Sequence, residues 1–209
     1  MLIERPPLLY RLLFPGAVWR LPAPDKKAVY LTFDDGPVPE VTPRVLDILE
    51  RHNVKATFFV VGDNVRRNPG LLEEILAHGH SIGNHTMHHI QGIKTSRKTY
   101  LADIAQAALL IPSALYRPPH GLIKLSQLVS VRKNFTIVMH DVVTRDYNSR
   151  FDSRRVLENV RRYVRNGSII VFHDSIKARD NMLGALEDSI VWLKQEGYEF
   201  LHVPQPSDN

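Results

Sequence analysis

Short runs of β-branched and aromatic residues alternate along the chain with longer stretches in which apolar residues recur every three or four positions. The short runs predict seven strands: Val29–Phe33, Ala56–Val61, Ser81–Gly83, Leu115–Arg117, Phe135–His140, Ser168–Phe172 and Glu199–Val203. The longer stretches predict six amphipathic helices: Thr42–His52, Pro69–His78, Arg97–Leu110, Leu122–Lys133, Ser153–Arg165 and Asn181–Glu196. Such alternation is typical of a parallel sheet covered by helices. We therefore predict an α/β fold, a distorted, seven-stranded β/α barrel, with an open doubly wound sheet as the alternative.

The first 27 residues are apolar but are interrupted by charged residues and prolines. We expect a single domain in which residues 1–27 form an extension that packs on a barrel of residues 28–209. The segment LLYRLLF is expected to pack on the domain, with contact to a membrane surface as the alternative. The sequence predicts no secretory signal and no transmembrane segment, which favours a cytoplasmic location by default.

Charged and imidazole side chains follow five of the predicted strands. β/α barrels gather their chemistry at the C-terminal ends of the strands, so these groups are expected to meet in one site. In chain order they are Asp34 and Asp35; His85, His88 and His89; Arg117 and His120; His140, Asp141 and Asp146; and His173 and Asp174. The alternative for Asp34 and Asp35, which precede a Gly-Pro pair, is an ordinary turn.

Composition narrows the possible functions. The 209-residue chain contains no cysteine, which excludes a disulfide framework, a thiolate nucleophile and a thiolate zinc site. Its formal charge of +5 favours anionic partners such as wall polymers or membrane surfaces. No nucleic-acid-binding motif or aromatic platform accompanies this charge, so no nucleic-acid partner is expected.

The segment SIGNHTMHHI is a candidate metal site. His85 and His89 are four residues apart, so one helical turn would point both imidazoles the same way. With Asp35 as third ligand they would form an open two-histidine, one-carboxylate site, as in catalytic zinc enzymes. Zn²⁺ is the default metal, and Ni²⁺, Co²⁺ or Mn²⁺ are alternatives. His88 could replace His89, but we predict a position at the rim for it.

Four segments occur in order between about residue 28 and the end of the chain: TFDDGP, LAHGHSIGNHTMHH, YRPPHG and GSIIVFHD. Together they resemble the motifs of the polysaccharide deacetylase family, also called the NodB-homology domain or carbohydrate esterase family four. The resemblance implies a distorted β/α barrel and a metal-dependent enzyme that removes acetyl groups, usually from N-acetylated sugars. Members of this family often act at the cell surface.

The resemblance also implies distinct roles for the strand-end residues. Asp34 matches the general base, and Asp35 matches a metal ligand alongside His85 and His89. Arg117 matches the residue that orients the base. The implied division suits the chemistry, because a carboxylate that binds metal is poorly available to accept a proton.

Further residues match positions that bind substrate or protonate the leaving group. The backbone N–H of His120, where the family commonly has Tyr, is implied to donate to the oxyanion. His173 matches the general acid that protonates the leaving amine. Ile170 and Phe172 match positions that shape the acetyl pocket, and packing in the core is the alternative for both.

The segment VMHDVVTRDYNSR departs from the family pattern Asp-x-x-Asp-Trp. Alignment places Val143 where the family has an Asp that orients the acid histidine, and it places Asp146 and Tyr147 at the later positions. Asp141 and Asp146 are therefore the candidates to orient His173. Asp141 lies two residues before Val143, on the same face if the strand continues. Tyr147 is a candidate wall of the acetyl pocket.

The leading hypothesis is a metal-dependent hydrolase that cleaves an N-acetyl amide on a carbohydrate. The same metal site could act on an O-acetyl ester or a non-sugar amide. A non-catalytic sugar-binding domain that retains the metal is the third possibility, but the presence of both proton-transfer residues favours an enzyme.

Overall fold

The computed structural model describes residues 4–205 and contains one curled, helix-flanked sheet whose strand pairings are all parallel. Its strands are β1 (Ala28–Asp34), β2 (Thr57–Val60), β3 (Ser81–Asn84), β4 (Leu115–Tyr116), β5 (Thr136–Ile137), β6 (Val142–Val143), β7 (Ser168–His173) and β8 (Glu199–Phe200).

The order of the strands distinguishes a barrel from an open sheet. Hydrogen-bonded neighbours follow the order β5-β4-β3-β2-β1-β7-β6. Neighbours in sequence are therefore neighbours in space, β1 joins β7, and an unpaired seam lies between β5 and β6. An open doubly wound sheet would instead reverse its order at a switch point. The predicted distorted, seven-stranded barrel is confirmed.

The seven strands of this path are not the predicted seven. Val142–Val143 forms β6, which pairs with β7 and lies outside the predicted strands. A two-residue strand is too short to show an alternating pattern. The predicted last strand exists as β8, but it pairs only with the start of β1 and stands off the main path.

The six predicted helices are present with boundaries that shift by up to three residues. Two short α-helices and two 3₁₀ helices, Gly92–Lys94 and Pro119–Gly121, were not predicted. The helices are α1 (Leu8–Leu12), α2 (Thr42–Arg51), α3 (Gly62–Arg67), α4 (Pro69–Ala77), α5 (Arg97–Ala108), α6 (Leu125–Val131), α7 (Ser153–Tyr163) and α8 (Arg179–Gln195). No helix within residues 4–205 has both the length and the apolar character needed to cross a bilayer.

Alternation along β1 separates the core from the site. Val29, Leu31 and Phe33 pack outward in the cluster formed with the helices. Tyr30 packs in the smaller cluster inside the barrel. Since successive side chains point to opposite faces, Asp34 follows Tyr30 on the inner face, at the C-terminal end of the strand.

Residues 18–21 run along the seam of the barrel. Val18 forms a parallel bridge with Val138, and the Met139 N–H donates to the Val18 carbonyl at 2.7 Å. The Leu21 N–H donates to the Gly167 carbonyl at 2.9 Å, beside the start of β7. This segment thereby satisfies part of the edge that β5 would otherwise expose.

Candidate active site

A cavity of about 490 Å³ opens at the C-terminal ends of the barrel strands. Its lining includes Asp34, Asp35, His85, His89, Arg117 and His173. These residues come from four separate parts of the sequence, and parallel packing brings their strand ends together as expected for a barrel.

Asp35, His85 and His89 place one potential ligand atom each within 4.8 Å of the others. Asp35 Oδ1 lies 3.1 Å from His89 Nε2 and 3.6 Å from His85 Nε2. Two imidazole nitrogens and a carboxylate oxygen are the donor set of an open divalent-metal site. Within residues 4–205, no other group of three histidine or acidic residues brings its potential ligand atoms this close together.

The protonation of these side chains also fits a metal. His85 Nδ1 lies 2.8 Å from the Arg117 carbonyl, which selects the tautomer that donates there and leaves the Nε2 lone pair facing Asp35. Burial lowers the pKa of His85 to about 4, so its imidazole is neutral at neutral pH. Burial raises the pKa of Asp35, but the His89 hydrogen bond and nearby imidazoles outweigh this effect and hold it well below its usual range.

The two histidines converge through a loop and not through the expected helical turn. Residues 85–91 contain no helix. Thr86 and His89 have φ angles of 68° and 53°, in the left-handed region that non-glycine residues seldom occupy. The spacing prediction therefore placed the right residues together for the wrong reason.

Asp103 on α5 fixes this loop. Its Oδ1 accepts hydrogen bonds from the backbone N–H groups of Met87 at 2.8 Å and His88 at 3.1 Å. Its Oδ2 pairs with His88 Nδ1. His88 is thereby directed away from the three-residue group, and its side chain is 45% exposed, as predicted for a rim residue.

Replacing Asp103 is expected to weaken metal binding without removing a ligand. Asp103→Ala leaves two backbone N–H groups in the ligand loop without their acceptor, and we expect metal affinity to fall by about 10–100-fold. Asp103→Asn keeps one oxygen acceptor and should recover most of this loss. Competition titration against a chromophoric chelator measures both changes.

Asp47→Ala is the matched control, because Asp47 is an exposed aspartate on another helix, α2. Unchanged metal affinity in a folded Asp103→Ala protein would contradict the assigned role.

Asp34 and Arg117 form a buried ion pair next to the candidate metal site of Asp35, His85 and His89. Arg117 Nη1 donates to Asp34 Oδ1 at 2.7 Å and to Thr32 Oγ1 at 2.7 Å. Its other nitrogens donate to the carbonyls of Val138 and Met139. The guanidinium is 1% exposed and so is held rigidly, which fixes the orientation of the Asp34 carboxylate.

The Gly-Pro turn after the two aspartates is built around Asp174. Asp174 Oδ1 accepts from the Gly36 N–H at 3.0 Å, and Oδ2 accepts from Thr42 Oγ1 at 2.7 Å. A Cβ on residue 36 would lie 2.0 Å from the Asp174 carboxylate, so only glycine fits there. Asp35 itself has a φ of 82°, and this turn directs it away from the course of β1.

His173 ends β7 and is held by Asp146. Its Nδ1 lies 2.7 Å from Asp146 Oδ1, and its backbone N–H donates to Oδ2 at 2.7 Å. Burial by itself lowers the pKa of His173, but the charge and hydrogen bond of Asp146 raise it to about 9. His173 is therefore protonated at neutral pH, with Nε2 available to donate a proton.

The hypothesis that Asp141 orients His173 is wrong. The Asp141 N–H bonds to Ile169 near the start of β7, whereas His173 lies at the other end of that strand. The Asp141 carboxylate accepts from Arg11, Arg165 and Ser168. Burial raises its pKa, but these partners outweigh burial and lower it to about 2. Asp146, the other candidate, makes the contact instead.

Two of the four predicted substrate-binding residues line the cavity and two do not. His120 and Tyr147 line the cavity, and the Tyr147 ring meets the His173 ring edge to face at 4.8 Å. Ile170 and Phe172 are fully buried in the outer cluster and do not line the cavity. Side chains alternate between the two faces of β7. His173 therefore shares its face with Val171, whereas Ile170 and Phe172 point to the opposite face.

A sequence model of the polysaccharide deacetylase family matches residues 22–134, more than half of the chain. The chain belongs to this family. The matched range includes both aspartates of TFDDGP, both histidines of the candidate metal site and Arg117. The segments that carry Asp146 and His173 lie beyond it.

Curated relatives of this polysaccharide deacetylase family member are about one third identical to it over the aligned residues. A peptidoglycan-N-acetylglucosamine deacetylase of Bacillus cereus is 33% identical over 196 residues, covering 90% of this chain and 91% of that protein. PgdA of Listeria monocytogenes, a peptidoglycan-N-acetylglucosamine deacetylase, is 36% identical over 189 residues, covering 88% of this chain. The match spans only 39% of the length of the Listeria protein.

Solved structures of the polysaccharide deacetylase family have the same fold. The Bc1960 peptidoglycan N-acetylglucosamine deacetylase, in complex with 4-naphthalen-1-yl-N-oxidanyl-benzamide, superposes with a TM-score of 0.85 at 34% identity. That match covers 90% of this chain and 91% of the other. BA3943 of Bacillus anthracis, a family pseudoenzyme, gives a TM-score of 0.78 at 27% identity over 95% of this chain and 71% of its own.

Several residues that shape the site in this family member had no assigned role from sequence. Asp103 lies on a helix, and nothing in its local pattern indicates a contact with a loop 15 residues earlier. Val143 and Val171 line the cavity. For Val171 a signal existed, because choosing His173 as a site residue fixes the inward face of its strand.

Proposed function

We propose that this chain is a metal-dependent hydrolase that removes acetyl groups from N-acetylated sugars of a polysaccharide or oligosaccharide. The observation that carries the proposal is the convergence of three groups in one cavity. They are the metal-binding group Asp35, His85 and His89, the Asp34–Arg117 pair and the Asp146–His173 pair. The names of the relatives in Bacillus cereus and Listeria monocytogenes support the same class of substrate.

The two proton-transfer residues stand beside each other on neighbouring strands. Asp34 and His173 are partners in the register of β1 and β7, and adjacent strands lie about 4.8 Å apart. A carboxylate and a protonated imidazole that flank one small group can act on opposite sides of a bond that is being cleaved. This is the arrangement that hydrolysis of an amide requires, with a base for water and an acid for nitrogen.

In the proposed reaction, Asp35, His85 and His89 would hold Zn²⁺, with Ni²⁺, Co²⁺ or Mn²⁺ as alternatives. The bound ion would supply Lewis acidity, polarising the acetyl carbonyl and making water more acidic. Asp34, held by Arg117, accepts the proton of the attacking water. The backbone N–H of His120 donates to the oxygen that gains negative charge.

Collapse of the tetrahedral intermediate requires a proton at the leaving nitrogen. His173 Nε2 gives that proton, and Asp146 keeps the ring oriented and charged beforehand. Val143, Tyr147 and Val171 supply apolar surface for the acetyl methyl group. The products are acetate and a free amino sugar.

Metal removal tests the proposal. The purified protein, loaded with Zn²⁺, is expected to release acetate from chitooligosaccharides or peptidoglycan. Dialysis against a chelator should lower this rate by about 100-fold or more, because the ion supplies several kcal/mol of stabilisation and about 1.4 kcal/mol is tenfold. Adding Zn²⁺ back should restore the rate. Metal analysis and acetate release are measured on the same samples.

Acetyl xylan, incubated in parallel, distinguishes ester from amide cleavage. Acetate from acetyl xylan alone would contradict the N-acetyl substrate. No release from any of these polymers by the metal-loaded protein would favour a non-sugar substrate or a binding domain. Full activity after verified metal removal would overturn the mechanism.

A further inference from the structure

Four leucines of the N-terminal segment face solvent together. Leu8, Leu9, Leu12 and Leu13 are 73%, 80%, 66% and 64% exposed, and we refer to them as the leucine face. They occupy positions i, i+1, i+4 and i+5 along and just after α1, which places them on one side of the helix. A contiguous apolar surface of this kind is unusual on a soluble domain and marks an interaction site.

The opposite side of α1 is fastened to the barrel. Tyr10 donates a hydrogen bond to the Gly121 carbonyl at 3.2 Å, and Arg11 Nη2 donates to Asp141 Oδ1 at 2.6 Å. Phe14 and Trp19 are buried in the neighbouring core cluster. The helix therefore contributes its aromatic side to the core and holds the leucine face outward in a fixed orientation.

Positive charge borders the leucine face at both ends. Leu8 shares a cavity of about 380 Å³ with Arg5, Arg11 and Arg165. The Arg5 and Arg165 side chains are each 37% exposed. Beyond the other end of α1, exposed Arg132 donates to the Pro15 carbonyl at 2.9 Å. We call Arg5, Arg165 and Arg132 the basic rim.

We infer that the leucine face and the basic rim dock this protein on an anionic lipid surface. Leucines inserted at the level of the headgroups with arginines around them are the pattern of an interfacial membrane-binding helix. Arginine side chains can extend their charged ends to lipid phosphates while their stems contact apolar surface. The inference is independent of the proposed catalytic function.

A second copy of the chain is a less suitable occupant. In a two-fold symmetric dimer built on the leucine face, the same patch meets itself. The basic rim of one copy would then approach the basic rim of the other, whereas anionic headgroups complement it. Tyr10 also links α1 to Gly121, a residue that lines the catalytic cavity. α1 therefore lies beside one wall of that cavity.

Co-sedimentation with vesicles tests the inference. The full chain is expected to bind vesicles of phosphatidylglycerol and phosphatidylcholine at 0.1 M salt, more strongly than vesicles of phosphatidylcholine alone. The double variant Leu9→Ser/Leu12→Ser should lower the partition coefficient by about tenfold or more, because it removes apolar surface from the docking face. Binding should also weaken at about 1 M salt, where screening shortens the Debye length to about 3 Å.

Leu109→Ser/Leu125→Ser is the matched control, since Leu109, just after α5, is 85% exposed and Leu125, at the start of α6, is 60% exposed. It should bind vesicles like the unaltered chain, and thermal unfolding should show that both variants fold. Absence of binding to the anionic vesicles, or equal binding by the two double variants, would overturn the inference. So would a dimer, measured by light scattering, that Leu9→Ser/Leu12→Ser dissociates.

Discussion

Asp34→Asn is expected to lower kcat/KM for acetate release by about 10³-fold while the protein keeps its metal. The substitution preserves the shape of the side chain and leaves the metal-binding group intact, since Asp34 is not part of it. An amide cannot accept a proton from water at neutral pH, and loss of a general base typically costs about 10²–10⁴-fold. Acetate release and metal content, measured on one preparation, separate the two effects.

Asp180→Asn provides the same chemical change at a side chain that is 84% exposed, and it should leave the rate unaltered. Asp34→Asn activity above a tenth of the unaltered rate, with metal bound, would assign the proton transfer to another group. Loss of metal from Asp34→Asn would instead show that the two adjacent aspartates share one task.

The convergence of the candidate active-site residues could be predicted from sequence, because the C-terminal ends of the strands of a barrel lie close together. Asp34 and Asp35 follow one strand, and His173 ends another that pairs with it, so topology alone brings them together. The local geometry could not be predicted in the same way. His85 and His89 meet through a loop with left-handed residues that Asp103 holds from a distant helix. The spacing of residues along the sequence does not reveal such a contact.

Errors in the predicted site arose where the position of a side chain depended on which strand face it occupied or on where the strand began. Ile170 and Phe172 alternate with Val171 and His173. A resemblance that placed Ile170 and Phe172 in the same site as His173 therefore conflicted with the two-residue period of a strand. Asp141 was a candidate to orient His173 because it would share a strand face with Val143, two residues later, if the strand continued. That extension leads toward the start of β7 and therefore away from His173.

The extension before the barrel shows the same limit of sequence patterns. Tyr10 and Phe14 pack on the domain, as expected for this segment, while the leucines between and beside them remain exposed. One side of LLYRLLF thus packs on the domain, and contact of the other side with a membrane stays a prediction for the vesicle experiment. A hydrophobic pattern does not reveal which side of a helix finds a partner within the chain.

Asp146→Asn is expected to move the alkaline limb of the pH profile to lower pH and to lower kcat by about 10²-fold. In the unaltered protein the pKa of His173 is raised to about 9, so the acid form persists at neutral pH and is lost as pH rises through that value. An asparagine carries no charge, and the pKa of His173 should fall toward its ordinary value of about 6.5. The general acid is then deprotonated at a lower pH.

Geometry adds to the loss of charge. Asp146 accepts from the His173 imidazole with Oδ1 and from the His173 backbone N–H with Oδ2. Asparagine has one acceptor oxygen, so its amide NH₂ must face one of these donors, and the ring loses its fixed orientation. The dependence of kcat and kcat/KM on pH between about 6 and 10 reports the shift, because these limbs follow the protonation of essential groups.

Asp141→Asn is the matched control, since it makes the same change at a buried aspartate of the same segment. It weakens the contacts with Arg11 and Arg165, which are partly exposed to water, and the free energy of unfolding should fall by about 1.5–3 kcal/mol, the usual contribution of hydrogen bonds between charged groups. The alkaline limb should stay in place, because Asp141 does not touch His173. A shift in Asp141→Asn with none in Asp146→Asn would reverse the assignment. An alkaline limb at the same pH in the unaltered protein and in both variants would mean that His173 is not the acid that protonates the amine.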